Sequence, residues 1–153
     1  MHHQVGAAAA VPTLWIVLGP LGQSITASHT LATTAPLSLP APYGDAMATL
    51  DVLYGVPMWG FAVLWAALAT ALTARTARAG LPFTLGWWSF TFPVGTLVTG
   101  TSGLAAATGA PFLAVVAVGL YVALVVAWAV VARRTVGGVL TGALLVEPTD
   151  PKG

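Results

Sequence analysis

The sequence has no cysteine, and only five basic and four acidic residues among its 153. Without cysteine there is no disulfide, no thiolate metal site and no cysteine nucleophile. Charged residues make up 6%, against roughly 25% in an average globular chain. So little charge cannot cover the surface of a soluble domain of this size, which makes the lipid bilayer the expected solvent. A net charge of +1 supplies no basic field for nucleic acid. The opening MHHQVGAAAAVP carries no Lys or Arg, so the positive flank of a secretory signal is missing. Residues 1–11 read as a short leader into a membrane helix. No Gly-rich phosphate loop follows a strand pattern, and no Ser/His/Asp set is arranged for nucleophilic work. His2 and His3 are adjacent, with no third ligand at a metal-site spacing. Together these absences predict a non-enzyme that holds neither metal nor cofactor.

What is present is apolar: 58% of the residues are hydrophobic. A helix needs about 20 apolar residues to cross the roughly 30 Å of hydrocarbon in a bilayer. Four windows qualify, at 12–34, 52–73, 83–108 and 111–132. The Pro-rich APLSLPAPYGD, the stretch RTARAGLP and the turn TGAP separate them as loops. The predicted fold is an all-α integral membrane domain of two helical hairpins over 12–132. A cytoplasmic tail follows over 133–153. The apolar piece TVGGVLTGALLV in that tail has 12 residues, too short to span, and is expected along the interface.

The basic residues set the orientation. Arg75, Arg78, Arg133, Arg134 and Lys152 all fall on one side of this topology. That side is the expected cytoplasm, with both termini inside and the chain multi-pass in the plasma membrane. Asp45 and Asp51 flank the loop on the opposite side.

The windows differ in kind. The second and fourth are almost purely apolar. In the first, Gly19, Gln23, Thr26, Thr30 and Thr33 recur at spacings of 4, 3, 4 and 3. In the third, Ser89, Phe92, Thr96, Thr99 and Gly103 recur at 3, 4, 3 and 4. Each set therefore shares one helical face. Such stripes serve helix packing, through small residues and hydroxyls that bond their own backbone. They also serve as the lining of a polar path, because polar groups at membrane depth face protein or water. Alternation of striped and plain windows favours the path. So do Pro20, and Pro93 with Gly95, which predict bends or breaks beside each stripe. No charged residue stands mid-window, so hydroxyls, an amide and backbone dipoles would solvate an anion weakly. His29, near the outer end of the first window, reads as an interfacial histidine, with pH sensing or anion contact as the alternative. Trp87 and Trp88 read as aromatic belt anchors.

PTLWIVLGPLGQS and GWWSFTFPVGT resemble two motifs of the tellurite-resistance/dicarboxylate transporter family, and RRTVGGVLTGALL is similar to its C-terminal segment. That family includes malate permeases, sulfite exporters and slow anion channels. The resemblance implies a ten-helix, pseudo-fivefold channel fold in which odd-numbered helices line the pore. The four windows correspond to its last four helices, and the first and third are then inner ones. The resemblance assigns Phe92 as the pore gate, with Gly19, Gln23, Thr26, Thr30, Ser89, Thr96 and Thr99 as pore-lining residues. Phe90 points about 200° away on a helix. The implied substrates are small anions or organic acids of the chloride, nitrate, sulfite and C4-dicarboxylate class. The implied assembly is trimeric. Two hairpins do not close a fivefold ring, so the chain is expected to be a C-terminal fragment or to be completed by another chain. A proton-coupled dicarboxylate carrier and a non-transporting membrane interaction protein are the competing expectations.

Overall fold

A computed structural model describes residues 11–78 and 85–141. Most of the expected leader, residues 79–84 and the end of the tail lie outside the described residues. A 3₁₀ segment, Val11–Val17, runs into helix α1, Leu18–Ser38, and α2 follows over Tyr43–Arg78. A second 3₁₀ segment, Leu85–Phe90, runs into α3, Thr91–Thr108, and α4 covers Pro111–Leu140. The described residues contain no strand.

Three boundaries differ from the sequence expectation. The long outer loop shrinks to 39–42, because α1 continues through Pro36 to Ser38 and α2 begins at Tyr43. The prolines start α2 rather than prevent it. The Pro40 carbonyl accepts from the Tyr43 amide at 3.0 Å, and the Pro42 carbonyl from the Ala46 amide at 3.0 Å. Directly ahead of a helix, the missing N–H of Pro42 costs nothing. At the other end, α4 runs on through Arg133 and Arg134 to Leu140. The first part of the expected interfacial piece is thus a continuation of the last helix, with no proline between Pro111 and Pro148 to stop it.

The third difference concerns the expected breaks. Pro20 and Pro93 are each the third residue of an α-helix that grows out of a 3₁₀ segment. The amides of a first turn have no intrahelical acceptor, so proline is tolerated there. The bend therefore lies at the start of each helix, where 3₁₀ winding gives way to α. Gly95 lies within the ordinary α-helix that follows. Pro-Leu-Gly at 20–22 and Pro-Val-Gly at 93–95 occupy the same place in the two hairpins, an internal echo hidden by their different neighbours.

Each hairpin is antiparallel within itself, and the two lie side by side in the same direction. Trp15 in the first 3₁₀ segment donates to Thr73 Oγ1 near the end of α2 at 3.1 Å. Trp88 in the second donates to Thr135 Oγ1 on α4 at 3.1 Å. These two bonds bring Arg75, Arg78, Arg133 and Arg134 to one end of the bundle. They also make Trp88 an interhelical tie, more than a belt anchor. The turn between α3 and α4 uses Gly109 at φ +65°, a conformation only glycine adopts freely. Its amide donates to the Ala105 carbonyl at 2.9 Å, and Pro111 opens α4.

Helices α1 and α3 pack against each other in the centre, with α2 against α1 and α4 against α3. The interior is built largely of small or lightly polar residues: Gly22, Gly55, Ala62, Ala69, Gly100 and Thr101 are buried. Large apolar side chains point outward, including Leu53 and Leu64 on α2 and Val115, Val118, Val122 and Val126 on α4. Water would not tolerate this arrangement over so much surface, whereas lipid favours it. By length and composition, α2 and α4 are the two described helices able to cross a membrane. The stripes on α1 and α3 lower their apolarity, and 3₁₀ segments take over part of their windows.

Candidate functional site: a polar seam between two parallel helices

Helices α1 and α3 meet backbone to backbone. A β-carbon added to Gly22 would stand 2.4 Å from the Thr96 carbonyl carbon and 2.6 Å from the Leu97 nitrogen. One added to Gly100 would come 3.0 Å from the Gly22 carbonyl oxygen. The residues α1 buries are Leu18, Gly19, Gly22, Ile25 and Ala32, a face that, Gly19 apart, lies next to the stripe read from the sequence. The close approach sets the two stripes alongside each other.

Along this seam their members pair. The Phe92 ring lies over Gly19, where an added β-carbon would stand 3.3 Å from its Cε1 atom. The ring remains 66% exposed. Two turns further on, Thr26 Oγ1 and Thr99 Oγ1 share a hydrogen bond at 2.9 Å. Further along, the His29 imidazole occupies the notch left by Gly103, whose absent β-carbon would lie 2.9 Å from two ring atoms.

The expected lining residues divide. Gln23, Thr30 and Thr99 are exposed, and Thr26 is half-buried at their edge. Thr33 is exposed as well. Thr30 Oγ1 donates to the Thr26 carbonyl at 2.9 Å, the back-bond a threonine makes within a helix. Thr96 does not belong to this open face. It is buried, and its hydroxyl donates to the Pro93 carbonyl at 2.8 Å and lies 3.3 Å from the Gly19 carbonyl. Gly19 is buried too, as the seat of the Phe92 ring. Ser89 lies half-buried in the second 3₁₀ segment, and the neighbouring Phe90 turns away onto Trp15, edge-on at 6.4 Å.

Sequence reasoning missed Asp51. Expected at the rim of an outer loop, it stands inside α2 and is 1% exposed. Its Oδ1 accepts from the Ser28 hydroxyl at 2.8 Å, and its Oδ2 lies 2.9 Å from His29 Nδ1. His29 is therefore partnered across the helices and is not a free interfacial side chain. A signal was available. Asp51 shares a helical face with Gly55, Ala62 and Ala69, the residues α2 buries. Beside the pair is a cleft of about 300 Å³, lined by His29, Thr33 and Asp51 and otherwise by alanine from α1, α2 and α3. The described residues hold no cluster of three or more His, Cys, Asp or Glu able to ligate a metal.

Two tryptophans brace the site from α2. Trp59 Nε1 donates to Thr101 Oγ1 at 3.0 Å, and its ring meets Phe112 edge-on at 5.8 Å. Trp65 Nε1 donates to the Leu14 carbonyl at 2.8 Å.

Residues 1–136 match the family described as voltage-dependent anion channel. An uncharacterized transporter of Methanocaldococcus jannaschii is 29% identical over 149 residues, covering 96% of this chain and 41% of the relative. The sulfite efflux pump SSU1 of Trichophyton rubrum is 30% identical over 140 residues, covering 88% of this chain and 36% of the pump. The chain thus spans about two fifths of the length of the curated relatives it matches. No solved structure matches it.

Proposed function

Because the chain belongs to the voltage-dependent anion channel family, we propose that it forms part of a membrane path for small anions, with Phe92 as the gate. The observation that supports this most is the exposed Phe92 ring seated on Gly19, on the same open face as Gln23, Thr26, Thr30 and Thr99. A bulky ring among hydroxyls and an amide blocks passage without binding the anion. The hydroxyls and amide then solvate it weakly, which suits rapid transit. Thr96 and Gly19 serve this face from behind, one tying α3 to the start of α1 and the other giving the ring its seat. Ser89 lies one helical turn before Phe92, at the mouth of the path.

In this reading the two hairpins are the C-terminal part of a ten-helix ring. Further helices, from a longer chain or from a partner, complete it in the plasma membrane with the arginine-rich end in the cytoplasm. Assembly into trimers belongs to the same reading. The substrate class is small oxyanions such as sulfite, with chloride, nitrate and C4-dicarboxylates as competitors in the assay. Electrical recording of Phe92→Ala in planar bilayers, within the complete assembly, tests the gate. Anion conductance should rise several-fold. Unchanged conductance at normal membrane insertion sinks the gating role.

A coupled carrier is the second reading, favoured by the buried carboxylate of Asp51, because intramembrane acids mark ion and proton pathways. Flux that follows an imposed proton gradient separates it from a passive channel.

A further inference from the structure

We propose that the His29–Asp51 pair is a proton site linked to anion binding in the cleft beside it. This deepens the anion-path reading and rests on it for the identity of the ligand, whereas the proton step rests on the geometry of the pair.

The Asp51 carboxylate receives the Ser28 hydroxyl at 2.8 Å on one oxygen and faces His29 Nδ1 at 2.9 Å with the other. A ring nitrogen and a carboxylate oxygen at that separation need a proton between them. With a neutral imidazole this is the Nδ1 proton, Nε2 is bare, and the pair carries −1. One further proton on Nε2 makes the imidazolium and brings the pair to zero. The two states differ by a full charge in a cleft with no other charged lining residue.

The surroundings leave that charge uncompensated. Helix α3 has no titratable residue along its whole length, and α1 has none besides His29. On α2, Tyr43, Asp45 and Tyr54 are exposed and do not line the cleft, while Arg75 and Arg78 stand at the opposite end. On α4, Tyr121, Arg133 and Arg134 line other surfaces.

A cleft of about 300 Å³ admits a small inorganic anion. With the pair at −1, Asp51 repels it. With the pair at zero, the imidazolium offers a charge-assisted donor, and the Thr33 hydroxyl stands on the same wall. An anion that binds the protonated form must in turn favour protonation, because linkage is reciprocal. The ligand is a singly charged small anion taken up together with one proton.

The chain has three histidines, His2, His3 and His29. Replacing His2→Gln and His3→Gln leaves a single ring to observe. The ¹⁵N-labelled protein in lipid bilayers is titrated by NMR, with and without nitrate, which stays singly charged throughout the range. His29 should pass in one step from one N–H to two. The midpoint should climb towards about one pH unit for each tenfold rise in nitrate above its dissociation constant. A midpoint indifferent to nitrate overturns the linkage, and a ring doubly protonated at every pH makes the pair a fixed ion pair and overturns the proton site. Asp51→Asn, which removes the repelling carboxylate, should bind nitrate more tightly than the parent at pH values above the parent's midpoint. If that variant does not fold, the titration of the parent decides alone. A nitrate-dependent titration alongside a Phe92→Ala that leaves conductance unchanged would keep this site and reject the gate.

Discussion

The Phe92 ring rests on Gly19, so that a β-carbon at position 19 would stand 3.3 Å from the ring's Cε1 atom. Gly19 stands directly ahead of Pro20 in the first turn of α1, Phe92 directly ahead of Pro93 in the first turn of α3, and the seam between the helices holds them together.

Gly19→Ala should therefore move the ring proposed as the gate and leave the fold intact. The contact is with the end of a side chain that can rotate. Alanine also improves helix propensity by about 0.5–1 kcal/mol over glycine. Anion conductance should rise in the same direction as for Phe92→Ala but less far, with the thermal midpoint unchanged or higher. A fall in stability of more than about 1 kcal/mol would show that the ring has no room to turn.

Gly22→Ala should behave in the opposite way. Its β-carbon would meet the Thr96 and Leu97 backbone at 2.4–2.6 Å, and backbone cannot rotate aside. Overpacking of this kind costs about 1–3 kcal/mol or more, and here it pries α1 from α3. Gly60→Ala is the control, since nothing lies within 4 Å of a β-carbon there. Denaturation in detergent micelles should show a large loss for the first and little change for the second.

Thr101→Val should cost about 1 kcal/mol by removing the acceptor of the Trp59 N–H. The hydroxyl accepts that bond at 3.0 Å while donating to the Leu97 carbonyl at 2.6 Å. A double-mutant cycle with Trp59→Phe isolates the pair, and the two losses should be less than additive.

Asp51→Leu and His29→Leu should each cost about 1.5–3 kcal/mol, the range for hydrogen bonds to charged groups. The double variant should lose less than the sum, because no unpaired charge is left behind. Strict additivity in the denaturation midpoints would show that the two side chains do not depend on each other.

Much of the architecture was legible because lipid imposes simple requirements. Nine charges in 153 residues exclude a water-covered surface, and apolar length then locates the helices. The stripes on α1 and α3 were legible for a related reason: periodicity along one helix survives any tertiary arrangement. The helix starts were not legible in the same way. Pro20 and Pro93 look like interruptions in a window counted by hydropathy, and only the 3₁₀ segments before them make them first-turn residues. Asp51 was misplaced because a Pro-rich stretch suggested a longer loop than the proline carbonyls allow.

The sequence by itself determined the solvent, the helical class and which faces of α1 and α3 carry hydroxyls, because composition and period depend on no partner. The tertiary structure decided what those faces do. Glycine at 22 and 100 lets two backbones touch, and that approach alone turns Thr96 inward, leaves Phe92 open above Gly19, and sets His29 into the notch at Gly103 within reach of Asp51. Contacts between residues tens of positions apart depend on which surfaces are small enough to close upon each other, and periodicity along one helix does not contain that information.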